Sequence, residues 1–398
     1  MSSQEIVKEL KVFALATDPI YIGTGGYTIG RVDNTIVRDP ITNVPKIPGS
    51  SLAGTWRYYV ALELHKYFKD EFRIDKDKRK KELDTILSQK NKNEWKDLSE
   101  DERQEFLQQI FNSNYKWVLF EGNRFAGIKC AGQDDVPNEE LNQELSNNKT
   151  GHCGQCIVCK GFGFSKKDIS WQGQIYFSDL NILFFPVFTM EGTKWITTAS
   201  KLKEIGIDTS EPKDNKIKIK QSESNSDKKY SNLGWLYLEI EEGDHTIEKL
   251  ETKDFELKPQ DIVIVPESLF SHIVNSNLEV RTSVSIDPIT GAAKEGALFT
   301  SEAIPRGTIF YGNIRIFDKS LFGNMNDKDK LKPIPTIDDL ICALCSSKHF
   351  YETLGIGGMT TRGFGRLKIN LADSTKEDKS KKQNDSQDSQ DESSKGGA

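Results

Sequence analysis

An α+β fold follows from three observations on the sequence. Apolar residues alternate at Leu10, Val12 and Ala14 and the run breaks at Asp18-Pro19, which is the signature of a strand. Leu52, Trp56, Tyr59, Val60 and Leu64 then recur at helical spacing behind a Pro48-Gly49-Ser50 start. The second half is built of short apolar runs of strand length, closed by a short helix, a glycine-rich turn and a last strand. With 398 residues, 36% of them hydrophobic, the chain can bury a substantial core.

Each element follows in order. After the first strand, Gly23, Gly25 and Gly26 make a loop, and "IPGSSLAGTWRYYVALELHKYF" is an amphipathic helix with a serine cap. Residues 5–65 thus form the first part of the core. From Lys66 to about Asn114 charge dominates, and Ser99 with Glu102 has capping-box spacing, so residues 66–125 read as a helical insertion. Its lysine-rich stretch 76–81 reads as a solvated helix face. Residues 126–168 form a cysteine-rich insertion, and residues 169–372 return to the core. There "GQIYFSDLNILFFPVF" reads as one buried strand, and "GWLYLEIEE", "DIVIVPESLF" and "NLEVRTSVSID" as further strands or strand edges. The Asp-Pro and Gly chemistry of "SIDPITGAAKEGALF" predicts a projecting hairpin at about 278–305. A helix in "IDDLICALCSSKHFYETL" carries Cys342 and Cys345 as core residues, and "GIGGMTTRGFGRLKINL" turns into the final strand. The tail 373–398, almost without apolar residues, is expected to be disordered. This order fits a ferredoxin-like or RNA-recognition type of core carrying insertions.

Composition excludes some functions. No apolar run reaches membrane-spanning length and "MSSQEIVKELK" lacks a signal-peptide core, so no membrane is expected and the cytoplasm is the default compartment. The net charge is −6, and the tail's seven acids against five lysines do not hide a basic body. Nucleic-acid binding therefore has to be local. The five histidines lie far apart in sequence and give no support to a two-histidine ribonuclease.

Local candidates exist. Four of six cysteines fall between 130 and 159, and Cys153, Cys156 and Cys159 follow at two-residue gaps, which in a cytoplasmic chain favours metal over disulfides. A tetrahedral zinc site needs a fourth ligand, for which Cys130 is the choice and His152 the reserve. An iron–sulfur run is disfavoured because the Cys-Pro ending is missing, and the plain alternative is reduced, unligated thiols. Gly355, Gly357, Gly358 and Gly363 let backbone amides approach a phosphate, beside Arg362 and Arg366. A strand-entry turn is the other reading. Lys46, Ser50, Ser51 and Arg57 at a helix start make a similar case, with a simple cap as the alternative. Such contacts hold a backbone without reading its sequence.

Four stretches, "DPIYIGTGG…GRVDNTIVRDPITNVPKIPGSSLAGTWR", "SDLNILFFPVFTMEGTKWIT", "VSIDPITGAAKEGALFTSEAIPRGTIFYG" and "IGGMTTRGFGRLKI", together resemble the backbone subunit of the Cmr (type III-B) CRISPR effector complex, within the RAMP superfamily. The "LFFPVF…G" stretch favours the Cmr form over the related Csm form. The resemblance implies a palm core with a hairpin thumb, in a protein that forms a filament of its own copies along a guide RNA (crRNA) with other Cmr subunits. It also implies cleavage of complementary target RNA at regular intervals, with Mg²⁺ or Mn²⁺, by a loop acid that by motif position is Asp33. Arg31 and Arg38 would hold phosphates, Phe299 on the thumb would stack on bases and Glu302 would stand near the cut. Where the family often has a histidine in its first loop, this chain has Tyr21. Two other readings stand beside this one: a non-catalytic guide-binding backbone subunit of a Csm-like complex, and a zinc-stabilised protein-interaction module.

Overall fold

A computed structural model describes residues 6–25, 32–132, 151–166, 169–220, 229–241, 250–252, 255–322 and 332–373. Gly26, Arg31 and the tail from Ser374 lie outside the described residues. The fold is mixed α/β. In the first half the elements are β1 (Val7–Ala16), β2 (Lys46–Ile47), α1 (Gly49–Tyr67), α2 (Asp70–Arg73), α3 (Lys76–Gln89), α4 (Glu100–Ile110), α5 (Ile157–Phe162), β3 (Phe164–Lys166), β4 (Ile169–Trp171), β5 (Ile175–Phe177), β6 (Leu180–Thr189) and β7 (Gly192–Thr197). There follow α6 (Ala199–Glu204), β8 (Lys218–Ile219), β9 (Tyr230–Leu233), β10 (Leu236–Glu239), β11 (Leu250–Thr252), β12 (Phe255–Leu257), β13 (Ile262–Ile264), α7 (Glu267–Ser276), β14 (Glu279–Ile286), β15 (Ala293–Ala303), β16 (Ile309–Phe317), α8 (Ile337–Ser347), α9 (Phe350–Thr353) and β17 (Leu367–Asp373). Among the described residues no helix is long and apolar enough to cross a membrane.

The chain divides into two compact units. One comprises residues 10–49, 178–313 and 349–398, and is built on a sheet of strand order β17-β1-β16-β6-β7-β13-β8, with β2 added on β6. β1 pairs antiparallel with β17 from Leu10↔Asp373 to Ala16↔Leu367, and its alternate residues Leu10, Val12, Ala14 and Ala16 are buried as their spacing predicts. β6 is flanked on both edges and is apolar nearly throughout, so it lies in the core, where Leu183 and Phe184 meet Leu202, Ile262, Ile264 and Ile309. The long run read as one strand is two, because Ser178 and Asp179 interrupt it between β5 and β6. "DIVIVPESLF" also differs from its reading as a strand. Only Ile262–Ile264 is extended, and Pro266 starts α7, which buries Phe270, Ile273 and Val274 at helical spacing.

The other unit comprises residues 1–9, 50–177 and 314–348 and holds the helical and cysteine-rich segments together with α1 and α8. Leu52, Trp56, Tyr59, Val60 and Leu64 of α1 are buried, and the Trp56 indole N–H donates to Leu344 O and Ser347 Oγ, both at 3.2 Å. The capping box is present at α4: Ser99 N donates to Glu102 Oε2 at 2.9 Å and Glu102 N to Ser99 Oγ at 3.3 Å. The stretch 76–81 is not wholly solvated, since Arg79 falls on the buried stripe Arg79-Leu83-Leu87 of α3 and is 1% exposed. Its guanidinium lies 4.4 Å from the Phe68 ring and donates to the carbonyls of Arg124, Phe72 and Ala126. Cys342 and Cys345 are exposed rather than in the core, because α8 buries the stripe Asp339-Leu340-Ala343-Leu344-Ser347 and leaves both thiols off it.

Candidate nucleic-acid interface and cysteine cluster

In the sheet-based unit three segments converge: the loop after β1, the base of the β14–β15 hairpin, and the glycine-rich turn before β17. The hairpin is a two-stranded sheet of its own, in register from Glu279↔Ala303 to Ile286↔Ala293 with one irregularity at Val284/Ile286. Its tip is closed by Asp287, whose Oδ1 accepts from Ile289 N at 2.7 Å and Thr290 N at 3.2 Å, with Gly291 in left-handed backbone. Val284, Ile286, Ile289 and Leu298 stand exposed along it, and Phe299 is half-buried opposite Ser283.

The first loop docks on the return strand of this hairpin. Asn34 N donates to Thr300 O at 3.0 Å and Glu302 N to Asn34 O at 3.0 Å, a short parallel bridge. Beside it the exposed Asp33 carboxylate accepts from Thr300 N at 2.7 Å and Thr300 Oγ1 at 2.9 Å. Those two donors, amide first and hydroxyl second, hold its carboxyl below the ordinary carboxylate range. Asp33 is thus an anion at neutral pH, in solvent, at the root of the hairpin. Glu302 comes to the same place but turns to Arg38, whose Nη2 lies 2.7 Å from Glu302 Oε1. Arg38 also donates from Nε to Asn275 Oδ1 and from Nη1 to Ile36 O, each at 3.0 Å, so the protein itself engages its fork.

The glycine-rich turn meets the first loop at Tyr21. Gly358 N donates to Tyr21 O at 2.9 Å, and a Cβ on Gly357 (φ +83°) would stand 2.2 Å from that oxygen. Gly357 is therefore required for the close approach of two loops. Burial raises the Tyr21 hydroxyl, which stays a neutral phenol. Arg281, on β14, ties the hairpin to the same turn: its guanidinium lies 4.6 Å from the Phe364 ring, and Nη1 donates to Gly363 O at 3.4 Å. Arg362 is exposed, while Arg366 pairs with Asp18 at 2.6 Å.

At the start of α1 the protein supplies its own anion. Asp179 Oδ1 accepts from Gly49 N at 2.7 Å and its Oδ2 lies 2.7 Å from Lys46 Nζ, which also reaches Asp39 Oδ2 at 3.2 Å. Asp39 is held down to about 2 by the amides of Thr42 and Ile41 and then by Lys46. Ser50 is exposed and Ser51 half-buried. Arg57 belongs to the other unit. Its Nε donates to Cys130 O at 2.9 Å and its Nη2 lies 3.0 Å from His152 Nδ1.

In that unit the Sγ atoms of Cys130, Cys153, Cys156 and Cys159 all lie within 4.8 Å of one another and could hold one metal ion. Tetrahedral zinc with thiolate arms of about 2.3 Å has sulfur–sulfur edges of roughly 3.8 Å, so the cluster fits it. Left-handed Gly154 makes the Cys153–Cys156 knuckle, in which Gln155 N and Cys156 N point at Cys153 Sγ at 3.4 and 3.2 Å. Gly127 N points at Cys130 Sγ at 3.4 Å and Cys159 N at Cys156 Sγ at 3.5 Å. Amides aimed at sulfur favour thiolates, the form a metal needs. Sequence reasoning missed Thr300, Arg281 and Asp179. Only Asp179 left a signal, as the polar break in a long apolar run.

A family model of the RAMP superfamily matches residues 14–368. A curated relative, the "CRISPR system Cms endoribonuclease Csm3" of Methanothermobacter thermautotrophicus, is 56% identical over 36 residues, which is 9% of this chain and only 15% of that protein's length. Similar solved chains include one from a type III-B Cmr-beta complex in its apo state, at 14% identity and TM-score 0.48 over 92% of this chain and 98% of that one. Another is oligomeric Cmr4 from Pyrococcus furiosus, at 16% identity and TM-score 0.45 over 92% and 98% of the two chains. With its family model spanning the strands from within β1 to within β17, this chain belongs to the RAMP superfamily.

Proposed function

We propose that the protein is a repeated backbone subunit of a type III-B, Cmr-like CRISPR effector in the cytoplasm, lying in a filament along guide RNA and cutting paired target RNA beside Asp33. The observation that carries this reading is the ionised, exposed Asp33 bonded to Thr300 at the root of the hairpin. The hairpin acts as a thumb: its exposed apolar side chains and Phe299 part the bases, and the first loop, fixed to its return strand, brings the acid to the gap. Arg362 with Gly357 and Gly363 contacts phosphate, and Arg31 joins from the first loop; the Gly358 amide is not part of this contact, because Tyr21 O already takes it. Arg38, Lys46, Ser50 and Ser51 shape that loop and its exit into α1. Arg57 stays with the cysteines.

A carboxylate held below its ordinary range is a poor base and a good anion. Asp33 therefore serves by accepting the 2′-hydroxyl proton in a hydrogen bond that orients the oxygen, or by holding a divalent cation near the scissile phosphate. In-line attack forms the O2′–P bond and breaks the P–O5′ bond, with the 2′-hydroxyl proton lost to solvent water and the 5′-oxygen taking one from it, leaving a cyclic phosphate and a 5′-hydroxyl. Among the described residues the four cysteines are the one group of three or more metal donors, so a Mg²⁺ or Mn²⁺ held by Asp33 would draw its other ligands from RNA and water. Zinc in the cysteine cluster is structural. The name of the relative matched over 36 residues supports RNA cleavage; its Csm designation favours the Csm-like complex of the second reading but not its non-catalytic role.

The test is single-turnover cutting of labelled target by guide-loaded complex. Asp33→Asn keeps an oxygen for Thr300 and loses the charge, so assembly and target capture should persist while cutting falls about 100-fold or more. A 2′-deoxy nucleotide at the cut should block the wild type. Wild-type cutting by Asp33→Asn sinks the catalytic assignment and leaves a structural subunit.

A further inference from the structure

Arg57 and His152 together address which atoms surround the metal. His152 is 1% exposed and precedes Cys153, and its Nδ1 lies 3.7 Å from Cys159 Sγ, close enough for an imidazole to compete for the ion. The same Nδ1 is 3.0 Å from Arg57 Nη2. A guanidinium only donates, so Nδ1 accepts and the ring proton sits on Nε2. The lone pair that could bind metal is thereby taken. Arg57 is fixed in this position by its Nε bond to Cys130 O at 2.9 Å, the carbonyl of another candidate ligand. Four thiolates on one divalent ion leave a charge of about −2, which a neighbouring cation offsets. We propose that Arg57 is a positioning residue of the metal centre: by occupying His152 Nδ1 it keeps the coordination sphere all-sulfur. This rests on the zinc reading of the cluster. It reassigns a cation that the sequence pointed toward phosphate.

The full-length protein is loaded with Co²⁺ in place of zinc, its visible ligand-field bands are recorded, and zinc retention is measured by chelator competition. The wild type should give all-thiolate bands. Arg57→Ala should move them to shorter wavelength as nitrogen enters, and lower zinc affinity about 10- to 100-fold, the usual effect of losing an outer-shell partner. Adding His152→Ala to Arg57→Ala should restore the all-thiolate bands, which a purely structural role for Arg57 does not explain. His152→Ala alone should leave bands and affinity as in the wild type, and this arm stands even if Arg57→Ala fails to fold. Metal loss in His152→Ala, or wild-type bands and affinity in a folded Arg57→Ala, overturns the proposal while the zinc site survives. A wild type that takes up neither Zn²⁺ nor Co²⁺ removes the metal reading itself.

Discussion

The Asp33–Thr300 pair shows how one side chain can carry a structural and a chemical duty together. The loop position alone implies little structural work for a carboxylate, yet Asp33 receives both the amide and the hydroxyl of Thr300. Those bonds depress its pKa, so the anion persists as pH falls below the ordinary carboxylate range and any activity needing it is lost only when pH drops through the depressed value. Thr300→Val removes the hydroxyl donor and lets the carboxyl titrate nearer its usual range. The acid limb of the cutting rate should therefore move to higher pH, and an unmoved limb would dissociate Asp33 from the titration. Stability follows the same sign. Asp39, held at about 2, contributes in full above the ordinary carboxylate range and loses that contribution as pH falls toward 2, so acid unfolding of Asp39→Asn should be less steep there. Arg79 poses the opposite case, a buried cation whose bonds run to backbone carbonyls. Arg79→Met keeps much of the stem but strands those oxygens, at about 1–3 kcal/mol each, so denaturant titration should show a loss of roughly 3 kcal/mol or more. A change below about 1 kcal/mol would mean that water replaces the guanidinium.

At the scale of elements, the glycine-rich turn separates two uses of glycine that look identical in sequence. Gly357 and Gly363 both have left-handed backbone, but a Cβ on Gly357 would strike Tyr21 O at 2.2 Å, whereas one on Gly363 meets only Arg281 Nη1 at 3.7 Å. Gly363→Ala should cost about 1 kcal/mol of backbone strain, and Gly357→Ala distinctly more because two loops must separate. Equal losses in thermal unfolding would contradict the loop-closure role of Gly357. The elements themselves were legible wherever a period was long and clean. The alternation of Leu10, Val12 and Ala14 and the α1 stripe give β1 and α1 directly, and the Ser99/Glu102 spacing gives the start of α4. Short apolar runs were ambiguous, as in "DIVIVPESLF", where three extended residues are followed at once by a helix. Cys342 and Cys345 were misread because an apolar helix has two faces and only packing decides which is covered. At the site, acid, hairpin and glycine turn were readable as separate motifs, but Thr300 and Arg281, which join them, lie hundreds or tens of residues away and have no local signature.

For the whole molecule, the decisive quantity is how few of the cations named at the candidate interface remain to meet a polyanion. The net charge is −6. Several basic side chains named from the sequence are engaged by the protein itself: Arg38 with Glu302, Lys46 with Asp39 and Asp179, Arg57 at the cysteine cluster and the more exposed Arg366 with Asp18. Exposed Arg362 and the main-chain amides around it are what the described glycine turn offers, and amides release no counterions. RNA binding by such a chain should be only weakly salt-dependent for its size. If each copy neutralises about two phosphates, the logarithm of guide affinity should fall with the logarithm of salt at a slope of roughly −1.4 per copy, and Arg362→Ala should flatten it by about 0.7. The loss should be the same for guides of unrelated sequence, since phosphate contacts carry no base information. Fluorescence titrations of labelled guide at several salt concentrations would measure both quantities. A slope several-fold steeper would require cations beyond the glycine turn and first loop, and a slope unchanged by Arg362→Ala would place the RNA path away from the glycine turn and so away from Asp33.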